Sequence, residues 1–145
     1  MKLFFDTSSI AKYFHQESGS IDVINLVDDS GNKIFISQLT QVEFASVVSR
    51  RFRMGEIDAH DLLVIMSTFD SELPKWSIEP LQSLLAEQAE KLIRTYGQTS
   101  GLRSLDALQL SAFILLDEPN CEFVVADKNL NAIALSIGIK TRFIQ

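Results

Sequence analysis

The chain has 145 residues, 46% of them apolar and 22% charged, with a formal charge of −6 and a pI near 4.8. That size suits one domain, residues 1–145, with a substantial core, and the composition excludes a disordered or low-complexity protein. The acidic balance argues against a broad phosphate-gripping surface, and no run of about 20 apolar residues is present to span a membrane.

In chain order, Lys2–Phe5 is an apolar run expected to form the first strand, followed by a helix over about Ser8–His15. Ser18-Gly19 breaks that helix, a second covers about Ile21–Val27, and Asp28–Asn32 is a loop by its turn residues. Lys33–Ser37 is the second strand. A long helix is expected from Thr40 to about Met54, with Gly55 just past its end. Asp58 is placed to cap the next helix, whose Leu62, Ile65, Met66 and Phe69 share one face.

Lys75–Ile78 follows as a short third strand. Pro80 then opens a helix over about Leu81–Tyr96, and Gly97–Gly101 is expected to be a loop. Leu105–Leu116 is apolar nearly all round, the pattern of a buried helix. Cys121–Val125 is the fourth strand, and Asp127–Ser136 is a helix closed by Gly138. Thr141–Ile144 is a possible fifth strand at an edge. Alternation of strands and helices predicts a three-layer α/β/α fold with a mainly parallel sheet of four to five strands. Strand order stays open at this stage.

The lone cysteine, Cys121, excludes an internal disulfide, borders an expected buried strand, and is compatible with a reducing cytoplasm. The N-terminus lacks a signal-peptide layout, so a cytoplasmic location without a membrane anchor is expected. Phe4, Phe5, Phe44, Phe52 and Phe69 suit core positions. Phe14, Phe52 and Met66 also suit a dimer face.

Four acids stand where an apolar run meets the start of a helix: Asp6, Glu43, Asp106 and Asp127. Each has a local explanation. Asp6 and Asp127 can cap helices, Thr40-x-x-Glu43 is a capping-box pattern, and Asp106 sits in a first helical turn that favours negative charge. The local explanations leave the coincidence unaddressed, because a parallel sheet brings such junctions to one rim. Carboxylates gathered there repel one another unless a cation intervenes, and oxygen donors suit Mg2+ or Mn2+. His15 and His60 lie on polar positions away from these acids.

Leu3–Ser9, Ser37–Glu43, Leu102–Leu110 and Phe123–Leu130, in that order, resemble the four motif blocks of PIN-domain proteins, above all the VapC-type toxins of toxin–antitoxin pairs. Arg50–Ile57 resembles the helix-turn-helix segment between that family's second and third blocks. The resemblance implies a parallel sheet with a central first strand. It also implies a metal-dependent endoribonuclease whose Asp6, Glu43, Asp106 and Asp127 hold one or two Mg2+ or Mn2+ ions, with Ser8 as the small hydroxyl after the first acid. RNA as substrate, a cognate antitoxin threading a segment across the cleft, and a homodimer are implied in the same way. Val125 departs from the family pattern, which often has Thr or Ser two residues before the fourth acid.

In the expected mechanism Asp6 and Asp106 are direct ligands, Asp127 completes the shell or binds a second ion, and Glu43 orients or deprotonates a water. Arg50, with Arg51 and Arg53 the only dense basic cluster, is a candidate phosphate contact, as are Lys12 and Arg103. Two other readings stay open. One is a haloacid-dehalogenase-like phosphatase with Asp6 as nucleophile, against which Ser8 stands where a second Asp is expected. The other is a non-catalytic module whose acidic rim docks a basic protein.

Overall fold

Side-chain alternation along the strands divides the core in two, and this division positions everything else. In a computed structural model describing residues 1–145, β1 (Lys2–Phe5), β2 (Lys33–Ser37), β3 (Ser77–Glu79), β4 (Cys121–Val125) and β5 (Thr141–Phe143) form one sheet, ordered β3-β2-β1-β4-β5. Every neighbouring pair is parallel, with Phe5 opposite Ile36 on one side and Val124 on the other. Leu3, Phe5, Ile34, Ile36 and Val124 face one layer, while Phe4, Phe35, Phe123 and Val125 face the other, the period-2 rule for strands covered on both faces.

The first layer contains α1 (Thr7–Phe14), α2 (Ser20–Asp28), α3 (Gln38–Arg53) and α4 (Ala59–Glu72). Its centre is aromatic: Phe44 stacks on Phe69 at 4.2 Å, and Phe14 and Trp76 close over them. The second layer contains α5 (Ser83–Ser100), α6 (Ser104–Leu116) and α7 (Lys128–Ser136), packed through Leu85, Ala89, Leu92, Leu110, Leu130 and Ile133. The predicted three-layer α/β/α fold with a parallel sheet is present, its fifth strand included and β1 at its centre. No helix is long and apolar enough to cross a membrane.

Several local expectations are corrected. Helix α3 begins at Gln38, not Thr40, because the Ser37 hydroxyl caps it by accepting from the Leu39 N–H. The Thr40–Glu43 capping box therefore does not form, and both side chains are free for other partners. Helix α5 starts at Ser83 and leaves Leu81 and Leu84 exposed, and it runs through Gly97 to Ser100 where a loop was expected. Gly101, at φ 67°, ends it in the left-handed conformation glycine tolerates. Gly97 lies one turn after Ile93 in this helix, where a Cβ would sit 3.1 Å from the isoleucine methyl.

Lys75 belongs to a 3-10 turn over Leu73–Lys75, so β3 is only Ser77–Glu79. Phe52 is 44% exposed and not a core residue. Phe14 and Met66 are partly buried and pack against the core of the first layer. Cys121 is buried, and burial pushes its thiol up to about 11, as an inert thiol requires.

Candidate functional site

Strand order reverses on either side of β1, so the crevice beyond the carboxyl ends of β1 and β4 is the switch point where open α/β sheets bind ligands. Asp6 is the residue after β1, and its N–H donates to the Val124 carbonyl at 3.2 Å, which locks it to the neighbouring strand. Its carboxylate caps α1. Oδ1 accepts from the Ser9 N–H at 2.9 Å, and Oδ2 accepts from the Ser8 hydroxyl at 2.7 Å. The cap explanation for Asp6 thus holds, yet the same carboxyl lines a cleft of ≈ 290 Å³.

That cleft also takes in Ser8, Glu17, Glu43, Arg51, Asp106 and Gln109. Three of the four predicted acids therefore meet around one space. They arrive there from α3, from α6, and from the end of β1. Asp106 reaches the cleft differently from expectation: α6 follows α5 through a short helix–helix connection and not a strand. Asp127 caps α7 by accepting from the Leu130 N–H at 2.7 Å, and its charge is felt at Asp106.

The electrostatics are those of crowded, poorly hydrated carboxylates. Burial pushes the Asp6 carboxyl up to about 6, against the lowering effect of its Ser8 and Ser9 donors, and the Asp106 charge adds to the rise. Burial also raises Asp106, with Asp127 contributing, while the neighbouring Arg103 guanidinium holds it back. That guanidinium donates to Asp106 Oδ2 at 3.2 Å from Nη2, the one ion pair made by the four acids.

Donor chemistry in the cleft suits a hard divalent cation: the buried Asp6 carboxylate with no basic partner, Asp106, whose charge raises the pKa of Asp6, and Glu43 in the same lining. Gathered this way, no three Asp, Glu, His or Cys side chains yet stand in ligating geometry about one point. Their oxygens have partners within the protein. Glu43 Oε1 is engaged by Thr7 and Gln109, Asp106 Oδ2 by Arg103, and Asp127 Oδ1 by a backbone N–H.

The other predicted residues divide. Ser8 lines the cleft, and Arg103 lines an adjoining hollow with Glu43, Leu105 and Asp106. Lys12 turns away, its Nζ donating to the Ser18 carbonyl at 2.7 Å and standing 3.5 Å from Glu17. Arg50 is exposed near the end of α3, and it is Arg51 that forms part of the cleft wall, 3.8 Å from Glu17. Ideal helical periodicity places Arg50, seven residues after Glu43, closer to the Glu43 face than Arg51, yet the cleft wall runs through Glu43, Val47 and Arg51.

Sequence reasoning also missed Thr7, Thr40 and Gln109, all buried beside Glu43. A glutamine inside an otherwise apolar helix was the available signal, because a buried amide needs partners.

A family model described as PIN domain matches residues 3–135. A search of curated proteins finds no match. Among solved structures, the chain is similar to VapBC2 from Rickettsia felis, bound to a DNA fragment from its promoter, at a TM-score of 0.69 and 17% identity over 100% of both chains. It is similar to FitAcB from Neisseria gonorrhoeae at 0.68 and 15%, covering 96% of this chain and 95% of that one. It is also similar to DNA-bound VapBC from Salmonella typhimurium at 0.65 and 12%, covering 99% and 98%. At these identities the structural likeness speaks to the fold.

Proposed function

The chain belongs to the PIN-domain family, and from that membership we propose that it is a Mg2+- or Mn2+-dependent endoribonuclease and the toxin of a toxin–antitoxin pair. The observation that carries the reading is the meeting of Asp6, Glu43 and Asp106 around one cleft at the switch point of the sheet. The phosphatase alternative is set aside, since the family match spans residues 3–135 and Ser8 replaces the second Asp that chemistry needs.

Asp6 and Asp106 would hold the ion, with Asp127 completing its shell. A divalent ion bound there supplies neutralisation of the phosphate's charge and activation of a water. Glu43 would orient that water and accept its proton, so that the oxygen attacks phosphorus while the bond to the leaving oxygen breaks and that oxygen takes a proton from solvent. Ser8 keeps Asp6 Oδ2 in place through its 2.7 Å hydrogen bond. Arg51 and Arg103 supply positive charge at the cleft wall and its neighbouring hollow, where the phosphate backbone of RNA would lie. Arg50 extends that charge along the exposed end of α3, and Lys12 contributes from α1 once released from Glu17.

The antitoxin reading is supported by the neighbours, which are VapBC and FitAcB structures. Purified protein incubated with total RNA, with and without Mg2+ or Mn2+, tests the activity. Cleavage by the parent that is lost in Asp6→Asn and Asp106→Asn supports the reading. Cleavage that persists in both variants, or in chelator, overturns it.

A further inference from the structure

We propose that Gln109 is a positioning residue for Glu43, clamping one oxygen of its carboxylate within a buried cluster shared with Thr7 and Thr40. The proposal rests on the nuclease reading of the cleft and assigns a device that reading does not contain.

Three helices converge at this point. Thr7 is the first residue of α1, Thr40 and Glu43 lie in the first turns of α3, and Gln109 sits on α6 one turn beyond Asp106. Gln109 is 2% exposed. Its Nε2 lies 2.8 Å from Glu43 Oε1, 2.9 Å from Thr7 Oγ1 and 3.0 Å from Thr40 Oγ1. Thr7 Oγ1 in turn donates to Glu43 Oε1 at 3.0 Å and stands 3.1 Å from Thr40 Oγ1.

Proton counting gives the cluster a direction. The amide has two hydrogens, so one goes to the carboxylate and the other to a threonine oxygen. The Thr7 hydroxyl has one hydrogen within reach of both Thr40 Oγ1 and this carboxylate oxygen, and the charged acceptor makes the stronger bond. Glu43 Oε1 therefore receives two donors, both aimed by buried side chains.

The opposite orientation of the amide would set Gln109 Oε1 against the carboxylate, oxygen facing oxygen. In the orientation adopted, Gln109 Oε1 is buried with no hydrogen-bond partner. Leaving a buried acceptor unpaired is unfavourable, and a charge-assisted N–H to carboxylate bond is the compensating gain. A methionine would fill a similar volume without the orphaned oxygen. What the amide adds is its N–H on Glu43.

The consequence for the cleft is positional. Oε1 is saturated and its χ angles are restrained, while Oε2 takes none of these bonds and Glu43 still lines the cleft. The clamp thus presents one oxygen in a defined place, the requirement for a group that aligns a water. It also links Glu43 to α6, the helix that carries Asp106, so that two acids of the cleft move together.

The test uses Gln109→Met and Thr7→Val, each alone and combined with Glu43→Gln, in the full chain. For RNA cleavage in Mn2+, Gln109→Met is expected to lower kcat about tenfold or more with KM for RNA within about twofold. Adding Gln109→Met to Glu43→Gln is expected to cause no further loss, because the residue acts through Glu43. A second readout does not need cleavage: the side-chain carboxyl ¹³C resonance of Glu43, assigned by its disappearance in Glu43→Gln, should shift in both single variants. Thr7→Val serves if Gln109→Met fails to fold, since it removes the other donor to the same oxygen. Losses that multiply in the double variant, or a Glu43 resonance unmoved in the folded single variants, overturn the proposal. A resonance that shifts in a protein that cleaves no RNA upholds the clamp and removes the nuclease reading alone.

Discussion

Arg103, the residue that precedes α6, and Asp106, in its first turn, form an ion pair at 3.2 Å on the carboxylate whose charge raises Asp6. A guanidinium therefore already occupies one oxygen of a group expected to take a divalent ion. It competes for Asp106 while partly offsetting the repulsion within the cleft. Replacing it should release Asp106 Oδ2. Arg103→Gln is expected to bind Mn2+ a few-fold tighter and RNA more weakly, read by calorimetry and by filter binding in the absence of metal. Unchanged Mn2+ affinity would show that the ion pair has no part in metal entry.

The raised pKa of Asp6 makes a stability prediction whose sign is definite. Its carboxyl titrates near 6 in the fold and near 3.8 when exposed, so the native state binds the extra proton between those values. Stability from this group is full below about pH 4 and falls as pH rises through 6, by roughly 1–3 kcal/mol in all. In metal-free buffer, Asp6→Asn should therefore melt higher than the parent at neutral pH, and the gap should close in acid. Asparagine retains the helix-capping ability, so the cap does not mask the effect. A variant less stable than the parent at neutral pH would contradict the burial argument.

Much of this architecture was legible from pattern alone. Strands β1, β2 and β4 are short apolar runs bounded by polar or turn residues, and Asp58 and Gly55 mark their helix ends as expected. The acids Asp6, Glu43 and Asp106 were legible because each breaks an apolar context near a junction. What stayed hidden depended on three-dimensional partners. Ser37 outcompetes Thr40 as the α3 cap because the strand ends directly into the helix. Gly97 sits inside α5, which continues to Ser100 and ends at Gly101, although its glycine reads locally as a break. Arg51, not Arg50, lines the cleft, although periodicity along α3 favours Arg50, seven residues after Glu43. The Thr7–Thr40–Gln109 cluster is assembled from α1, α3 and α6, which no local window can show.

The aromatic centre of the first layer gives a test of packing independent of function. Phe69 is 2% exposed, stacks on Phe44 at 4.2 Å and meets Phe14 and Trp76 edge-on. Phe69→Ala should cost about 3–5 kcal/mol in urea unfolding. A loss below about 1 kcal/mol would mean that α4 is not packed on the sheet as described.

Cys121 provides a chemical probe of the same core. Its thiol is buried against β1 and pushed up to about 11, so a disulfide reagent should leave it unmodified in the native protein and react fully in denaturant. Rapid reaction in native buffer would contradict the placement of β4 within the sheet.

Mn2+ binding followed by calorimetry at neutral pH, in the parent and in Asp6→Asn and Asp106→Asn, tests the central claim most directly. The account predicts saturable binding by the parent that both substitutions abolish, because each removes a charge the ion must neutralise. A parent that binds no divalent ion, or variants that bind it as well as the parent, would contradict it.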